Sequence, residues 1–402
     1  HAALVLCPVA SRGEAIGRGA RADRQVGEAI VALGIVGGWT MSSPNNEKLA
    51  WRYRLDRSIR AAAMFVLNRI FPRIESSTVD LRREKIEKIL LGRGVFPLGN
   101  AILATPALLL LRQNFPDARI DFVGASGAKS LFANLPIEHY YPVYHNYFKA
   151  SWSYLVLLRQ LRAQKYDLAV DVSGSSTAMG SFLVGASGPR LRAGLAGKWD
   201  RWFNLRFPRF GSRNKYDSMT HLVGAMGLQS DVCYPQVILR PDELAFGRQR
   251  AAAMFGDSTA QIVGIFVGGR KARGKRWAKE NFLHLALRLN GRGVNVIMFV
   301  GPEERELLAY FRDEVGDRTK VVFEPELRRF AGLIAACDLF VACDSGPVHL
   351  VCALRVRTVA IFLHNDFDRW GPPAELARIV YEENAVSVDT IFKACGQELE
   401  RR

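Results

Sequence analysis

From Lys85 onward, short apolar runs alternate with longer segments whose apolar residues recur every three or four positions. Ile86–Leu91, Arg119–Val123 and Tyr166–Val172 read as strands, with Arg190–Leu195 as one more. Ala101–Gln113 and Ser151–Ala163 read as helices, the second with Trp152, Leu155, Leu158 and Leu161 on one side. A second series opens near Gln261. Its strands are Ile262–Val267, Val294–Val300, Val321–Phe323, Asp338–Ala342 and Thr358–Leu363, and its helices are Ala278–Leu289, Glu303–Val315 and Leu327–Ala336. Short apolar runs separated by amphipathic helices predict βαβ units and parallel sheets. The chain therefore reads as two doubly wound α/β domains, residues 84–240 and 241–402, with 230–259, which holds Pro235 and Pro241, as the linker. Ser387–Arg402 reads as a terminal helix. In such domains ligands sit beyond the carboxyl ends of the strands, and the cleft between the domains is the expected active site.

The first 83 residues depart from this pattern. Residues 1–40 are rich in Ala, Gly, Val and Arg, and their arginines follow the apolar run, the reverse of a signal peptide. They read as a disordered or mis-assigned extension ahead of Met41. Within 41–83, Trp51, Leu55, Ile59, Ala62, Val66 and Ile70 recur at helical spacing among Lys48, Arg52, Arg54, Arg57 and Arg60. This is a basic amphipathic helix over 47–71. It suits an anionic membrane surface, and equally a packed helix with a solvated basic face.

The 402 residues carry a formal charge of +16, which favours anionic partners: a membrane surface, nucleic acid or phosphorylated small molecules. Nucleic acid is disfavoured, because the chain has no recognition motif or aromatic-basic platform. No apolar run approaches the roughly 18 residues that span a bilayer. The six cysteines form no CxxC pair and read as thiols of a reducing compartment rather than a disulfide frame or zinc site.

Candidate chemistry gathers at strand ends. After the run Asp338–Ala342 come Cys343, Asp344, Ser345, Gly346, Pro347, Val348 and His349. Pro347 suits a first helical turn, and the free N–H groups of such a turn bind anions. Asp344 adds a hydroxyl acceptor and His349 a polar donor. The pattern fits a nucleotide phosphate site, or an ordinary βα turn. The loop Gly268–Trp277 follows another strand. Gly268 and Gly269 allow close backbone approach, and Arg270, Lys271, Arg273, Lys275 and Arg276 crowd cations that a diphosphate would match; a solvated basic loop is the other reading. It is not a Walker A loop. In Gly94–Pro106, Gly99 permits a tight turn and Asn100 can cap a helix facing an acceptor. Asp366-Phe367-Asp368 has the spacing of a divalent-cation pair, but Arg369 and Trp370 beside it favour an ion-paired loop, so no metal site is assigned. His221 and His364 lack paired ligand spacing.

Together these segments resemble glycosyltransferase family 9, the bacterial heptosyltransferases of lipopolysaccharide core assembly. The resemblance runs from about Lys85 to Pro373 and rests on Ile89–Ile120, Tyr166–Ser175, Gly274–Phe282, Cys343–Leu354 with its Asp-Ser-Gly-x-x-His-Leu order, and Arg355–Pro373 with its Trp-Gly-Pro loop. It implies a GT-B fold, two Rossmann-like domains facing a cleft, the first holding the acceptor and the second the donor. It implies inverting transfer without a metal or other cofactor, from a nucleotide sugar, typically ADP-heptose, to a lipid-linked glycan at the inner face of the inner membrane. By this resemblance Lys275 touches the donor phosphates, Asp344, Ser345, Gly346 and His349 line the diphosphate and sugar, and Gly269 and Glu303 are further donor contacts. The family carries Asp as general base where this chain has Asn100, and an amide cannot take a proton at neutral pH. Asp171, ending a strand of the same domain, is then a candidate base. A relative using a UDP- or GDP-sugar, or a catalytically silent nucleotide-sugar binder, are the alternatives.

Overall fold

The computed structural model describes residues 73–94, 98–143, 156–174, 178–209, 214–256, 258–269 and 274–401. The basic segment 47–71, residues 1–40, Arg270, Lys271 and Arg273 lie outside the described residues. All pairing is parallel, in two six-stranded sheets. The first has the order β3-β2-β1-β4-β5-β6: His139–Val143, Arg119–Ala125, Lys88–Gly92, Leu168–Asp171, Leu191–Leu195 and Leu205–Phe207. The second has β12-β11-β10-β7-β8-β9: Arg378–Tyr381, Thr358–Phe362, Leu339–Cys343, Ile262–Phe266, Asn295–Phe299 and Thr319–Val322.

The central strands are buried along almost their whole length. Ile89, Leu90 and Leu91 of β1 and Leu339–Cys343 of β10 have no exposed residue, as strands covered on both faces require. Ile89 sits in register with Ile120 on one side and Leu168 on the other; Val341 sits between Ile265 and Val359. In each sheet the strand order reverses beside the first strand, between β1 and β4 and between β7 and β10. These are the two switch points where the fold leaves a crevice at the carboxyl ends.

Twelve α-helices are described. The ones that matter here are α1 (Leu98–Ile102), α2 (Thr105–Asn114), α3 (156–163), α4 (Ala178–Ala186), α5 (Ser218–Ala225), α6 (Pro241–Phe255), α7 (Lys279–Gly291), α8 (Leu308–Glu314), α9 (Leu327–Ala335), α10 (Gly346–Ala353), α11 (Phe367–Trp370) and α12 (Val388–Glu400). One apolar cluster runs continuously from Ile102, Leu108 and Phe122 at the first sheet to Phe340, Val348 and Leu350 at the second. A separate cluster holds α7 and α12 against the other face of the second sheet, through Phe282, Leu285, Ile391 and Cys395.

Half of the segment expected as a linker, Pro241–Phe255, is helical. Pro241 stands at the first helical position of α6, where its missing N–H costs nothing, and Glu243 accepts from the Arg240 N–H at 2.7 Å. The helix crosses α9 so closely that a Cβ on Gly247 would lie 1.9 Å from the Gly332 carbonyl. At that crossing Arg328, buried, donates to Glu243 at 2.7 Å and to the Ile238 carbonyl at 2.8 Å. Strands β3, β6 and β12 and helices α4 and α5 went unread in the sequence. Of the cysteines, Cys337, Cys343, Cys352 and Cys395 are buried free thiols and Cys233 is half-buried. No helix among the described residues is long and apolar enough to cross a membrane.

Candidate active site

At the switch point of the second sheet, β10 ends in Asp344 and Ser345, and α10 begins at Gly346. Ser345, the N-cap, has extended backbone and turns its hydroxyl back to the Cys343 carbonyl at 2.9 Å, so no side chain caps the first turn of α10. Its N–H groups stay available, and the helix dipole favours negative charge there. Lys275 reaches the same place from the β7–α7 loop. Its ammonium donates to Asp344 and, at 2.5 Å, to Asp366 Oδ2. The loop can pass so near only because residue 269 is glycine: a Cβ there would lie 2.4 Å from the Lys275 carbonyl oxygen and 2.9 Å from Arg276 Cα.

His349, on α10, is buried, and its Nδ1 shares a 2.7 Å hydrogen bond with the Tyr216 hydroxyl. Burial, reinforced by the charges of Lys275 and Arg93, lowers its pKa from 6.5 to about 4, so the imidazole is neutral at physiological pH. The tautomer in which Nδ1 accepts from Tyr216 leaves Nε2 protonated and able to donate. The other side of the ring is pressed against α1. A Cβ on Gly99 would lie 2.4 Å from His349 Cδ2 and 3.3 Å from Gly346 Cα. Glycine at 99 is what lets the start of the first domain's first helix meet the start of α10.

On the other side of this contact opens a cleft of about 530 Å³. Arg93, just past β1, is buried in its wall. Its guanidinium donates to the Val172 carbonyl at 2.5 Å, while its Nε–H has no partner. Lys215, Arg209 and Arg369 line the same cleft, with Asp366, Asp368 and His221. The Lys215 backbone N–H donates to the Arg369 carbonyl at 2.9 Å, and Asn214 Nδ2 to the Gly371 carbonyl at 2.9 Å, so the turn before α5 is tied to the loop around α11. Partial burial and the neighbouring Arg369, Arg93 and Arg209 lower the Lys215 pKa from 10.5 to about 8.

The structure thus gathers Gly269, Lys275, Asp344, Ser345, Gly346 and His349 at one sheet edge, with Asn100 next to Gly99 at the facing helix start. Asn100 is half-buried and makes no side-chain hydrogen bond to a described residue. Glu303 is exposed on the outside of its turn; its neighbour Glu304 faces the glycine loop, accepting from the Gly269 N–H at 3.4 Å and lying 3.6 Å from Arg276, with its pKa raised by burial. Asp171 does not fit a general base. It is fully buried and accepts from the Ser173 N–H at 2.9 Å, the Ser173 hydroxyl and the Ser181 hydroxyl at 2.9 Å, which leaves it no opening toward an acceptor. Sequence reasoning missed Arg93, Lys215, Tyr216, Glu304 and Arg369. Arg93 alone left a signal, a charge immediately after a buried strand; the others are set by the fold.

A family model for glycosyltransferase family 9 (heptosyltransferase) matches residues 154–390. Lipopolysaccharide heptosyltransferase 3 of Escherichia coli is 26% identical over 292 residues, covering 68% of this chain and 83% of that protein. Lipooligosaccharide heptosyltransferase 2 of Campylobacter jejuni is 22% identical over 289 residues, covering 71% and 84%. Among solved structures, a family 9 glycosyl transferase from Veillonella parvula superposes with TM-score 0.70 at 20% identity, over 80% of this chain and all of that one. The E. coli ADP-heptose LPS heptosyltransferase II gives 0.65 at 19%, over 78% and 98%. The two facing Rossmann-like sheets are therefore a GT-B fold.

Proposed function

We propose that this chain, which belongs to glycosyltransferase family 9, transfers a heptosyl residue from ADP-heptose to a lipopolysaccharide core or related lipid-linked glycan, with inversion and without a metal. Family membership makes the protein a glycosyltransferase; the donor and acceptor are those that the names of its relatives carry. The observation that carries the reading is the uncapped start of α10 with Lys275 beside it. The departing nucleoside diphosphate develops negative charge on its terminal phosphate. Fixed N–H groups and an ammonium stabilise that charge without reorganising. Lys275, held by Asp344 and Asp366 in this structure, turns to the diphosphate, and Asp344 is left to accept from sugar hydroxyls. His349 Nε2–H donates to the sugar or phosphate oxygens.

Inverting transfer needs a base for the acceptor hydroxyl. Asn100 orients the acceptor and cannot deprotonate it, and Asp171 is enclosed. Asp366 has one carboxylate oxygen buried and turns the other to Lys275. Asp368 lines the cleft, exposed, with no ion pair to a described residue, and receives the role of base. Residues 47–71, basic and amphipathic, would place the enzyme peripherally on the inner face of the inner membrane, which sedimentation with anionic vesicles tests.

The test is turnover by the purified protein with ADP-, UDP- and GDP-sugars and a core oligosaccharide, with product anomeric configuration read by NMR and the reaction repeated in EDTA. ADP-heptose should be used, the anomer inverted and EDTA without effect. Lys275→Gln should lower kcat/KM by about 10²–10³, the loss that follows removal of one preorganised donor, and Asp368→Asn should lower kcat. Nucleotide-sugar binding with no transfer from any donor would instead identify a silent binder.

A further inference from the structure

Residues 214–217 belong to the first domain but lie on the second. They run into α5, whose Met219, Leu222 and Val223 share an apolar cluster with Leu108 and Leu111 of α2. Asn214 fixes this strap. Its Oδ1 accepts from the Tyr216 N–H at 2.8 Å, its Nδ2 donates to the Gly371 carbonyl at 2.9 Å, and its own carbonyl accepts from the Ser218 hydroxyl at 2.8 Å. Tyr216 is thereby held buried against the second domain, with its hydroxyl 2.7 Å from His349 Nδ1. The imidazole centre lies 5.5 Å from that of the Tyr216 ring and 6.4 Å from that of Trp370, and Cδ2 faces Gly99 of α1. Turning the ring over would exchange Nδ1 with Cδ2 and leave the phenol facing carbon, so the ring orientation is set.

A neutral imidazole carries one proton, and the hydrogen bond made by one nitrogen decides which of the two holds it. The phenol has one hydrogen to give. Its polar neighbours are His349 Nδ1 and, one turn further along α10, the Cys352 thiol. Sulfur is a weak acceptor and an unprotonated imidazole nitrogen a good one, so the hydrogen goes to Nδ1. Burial keeps the phenol protonated and the imidazole neutral. We infer that Tyr216 is a positioning residue for transfer: its phenol, carried in by the first domain, fixes His349 with Nδ1 as acceptor and Nε2–H as donor toward the nucleotide sugar. The inference rests on the transferase reading and deepens it. The opposite tautomer would turn the Nε2 lone pair toward the departing diphosphate, and that lone pair and an anionic oxygen repel. Because phenol and imidazole come from different domains, the donor contact is complete only when the strap is seated on the second domain.

The test reads the tautomer directly. The full chain is labelled with nitrogen-15 histidine and examined by long-range proton–nitrogen correlation at neutral pH, the His349 signals being assigned by their loss in His349→Ala. The wild type should show an unprotonated Nδ1 and a protonated Nε2. Tyr216→Phe keeps the ring and removes the oxygen; it should leave the two tautomers in exchange, with both nitrogens moving toward a common shift. In the transfer assay Tyr216→Phe should lower kcat/KM about tenfold, the worth of one buried hydrogen bond. In the His349→Ala background the same change should cost less than about twofold, because the two residues act as one unit. A protonated Nδ1 in the wild type overturns the inference whatever the variants do. So does a Tyr216→Phe protein whose His349 keeps the wild-type tautomer, or one whose kcat/KM is unchanged. A loss as large without the histidine as with it would be structural and overturns it too. Should no sugar be transferred from any donor, the transferase reading fails, while the spectra still decide whether Tyr216 sets the imidazole.

Discussion

Lys215→Met should make the free protein more stable at neutral pH, although Lys215 looks like an ordinary polar residue. Its pKa falls from 10.5 to about 8 because burial and three arginines disfavour the ammonium. At about 1.4 kcal/mol per pKa unit, folding with Lys215 charged costs roughly 3 kcal/mol before screening, and about 1–2 kcal/mol once the partial exposure of the side chain is allowed for. The sign is fixed by the direction of the shift. Below pH 8 folded and unfolded chains are both protonated and the cost is fully present. Between pH 8 and 10.5 the folded chain releases its proton first, so the cost disappears as pH rises. Methionine keeps most of the stem and removes the charge. Urea denaturation followed by tryptophan fluorescence should therefore show a higher midpoint for Lys215→Met at pH 7, with the slope unchanged. The gap should close as pH approaches 10.5. A wild type equal to or more stable than the variant at pH 7 would refute the charge argument, and so would a gap independent of pH.

Other expectations follow from the same contacts. His349, neutral and buried with its pKa lowered to about 4, makes the fold lose stability as pH falls from 6.5 toward 4, by roughly 3 kcal/mol in full; His349→Gln should flatten that dependence in urea midpoints taken at pH 6.5 and 4.5. Gly99→Ala places a methyl 2.4 Å from the His349 ring, so α1 and α10 must part; we expect a loss of about 1–3 kcal/mol in denaturation and a fall in kcat well beyond the fall in stability. Asn100→Asp should raise turnover and Asn100→Ala lower it, measured by single-turnover transfer; equal rates in both would remove any role for the position in the reaction.

The part of this protein written along the chain is the part made of consecutive residues. β1, β7, β10 and β11 were legible because burial on both faces demands unbroken apolar runs, and Ile89–Leu91 or Leu339–Cys343 can serve little other purpose. β3, β6 and β12 were not, because each lies at a sheet edge. There a strand can hold Pro142, stop after three residues or leave Arg378 exposed. Pro241 misled for a related reason: the same residue that breaks a helix in its interior starts one at its first position. Gly268–Gly269 with Lys275, and Asp344–His349, were readable for the same cause as the inner strands, since a strand end and the turn after it are contiguous. Glu304 was displaced by one from the residue chosen, because only the turn Pro302–Leu307 decides which of two adjacent glutamates faces the glycines.

The acceptor side could not be read this way. Arg93, Lys215 and Arg369 are far apart in sequence, and only the packing of two domains makes them neighbours. Asp171 shows the converse. Its place at a strand end suggested an acceptor-facing base, yet Ser173 and Ser181 enclose it and occupy both carboxylate oxygens. On the proposed reading the donor half grips the diphosphate with backbone amides and a single cation, and such a grip can be encoded locally. The cleft beside the first sheet is lined by side chains that converge from separate elements.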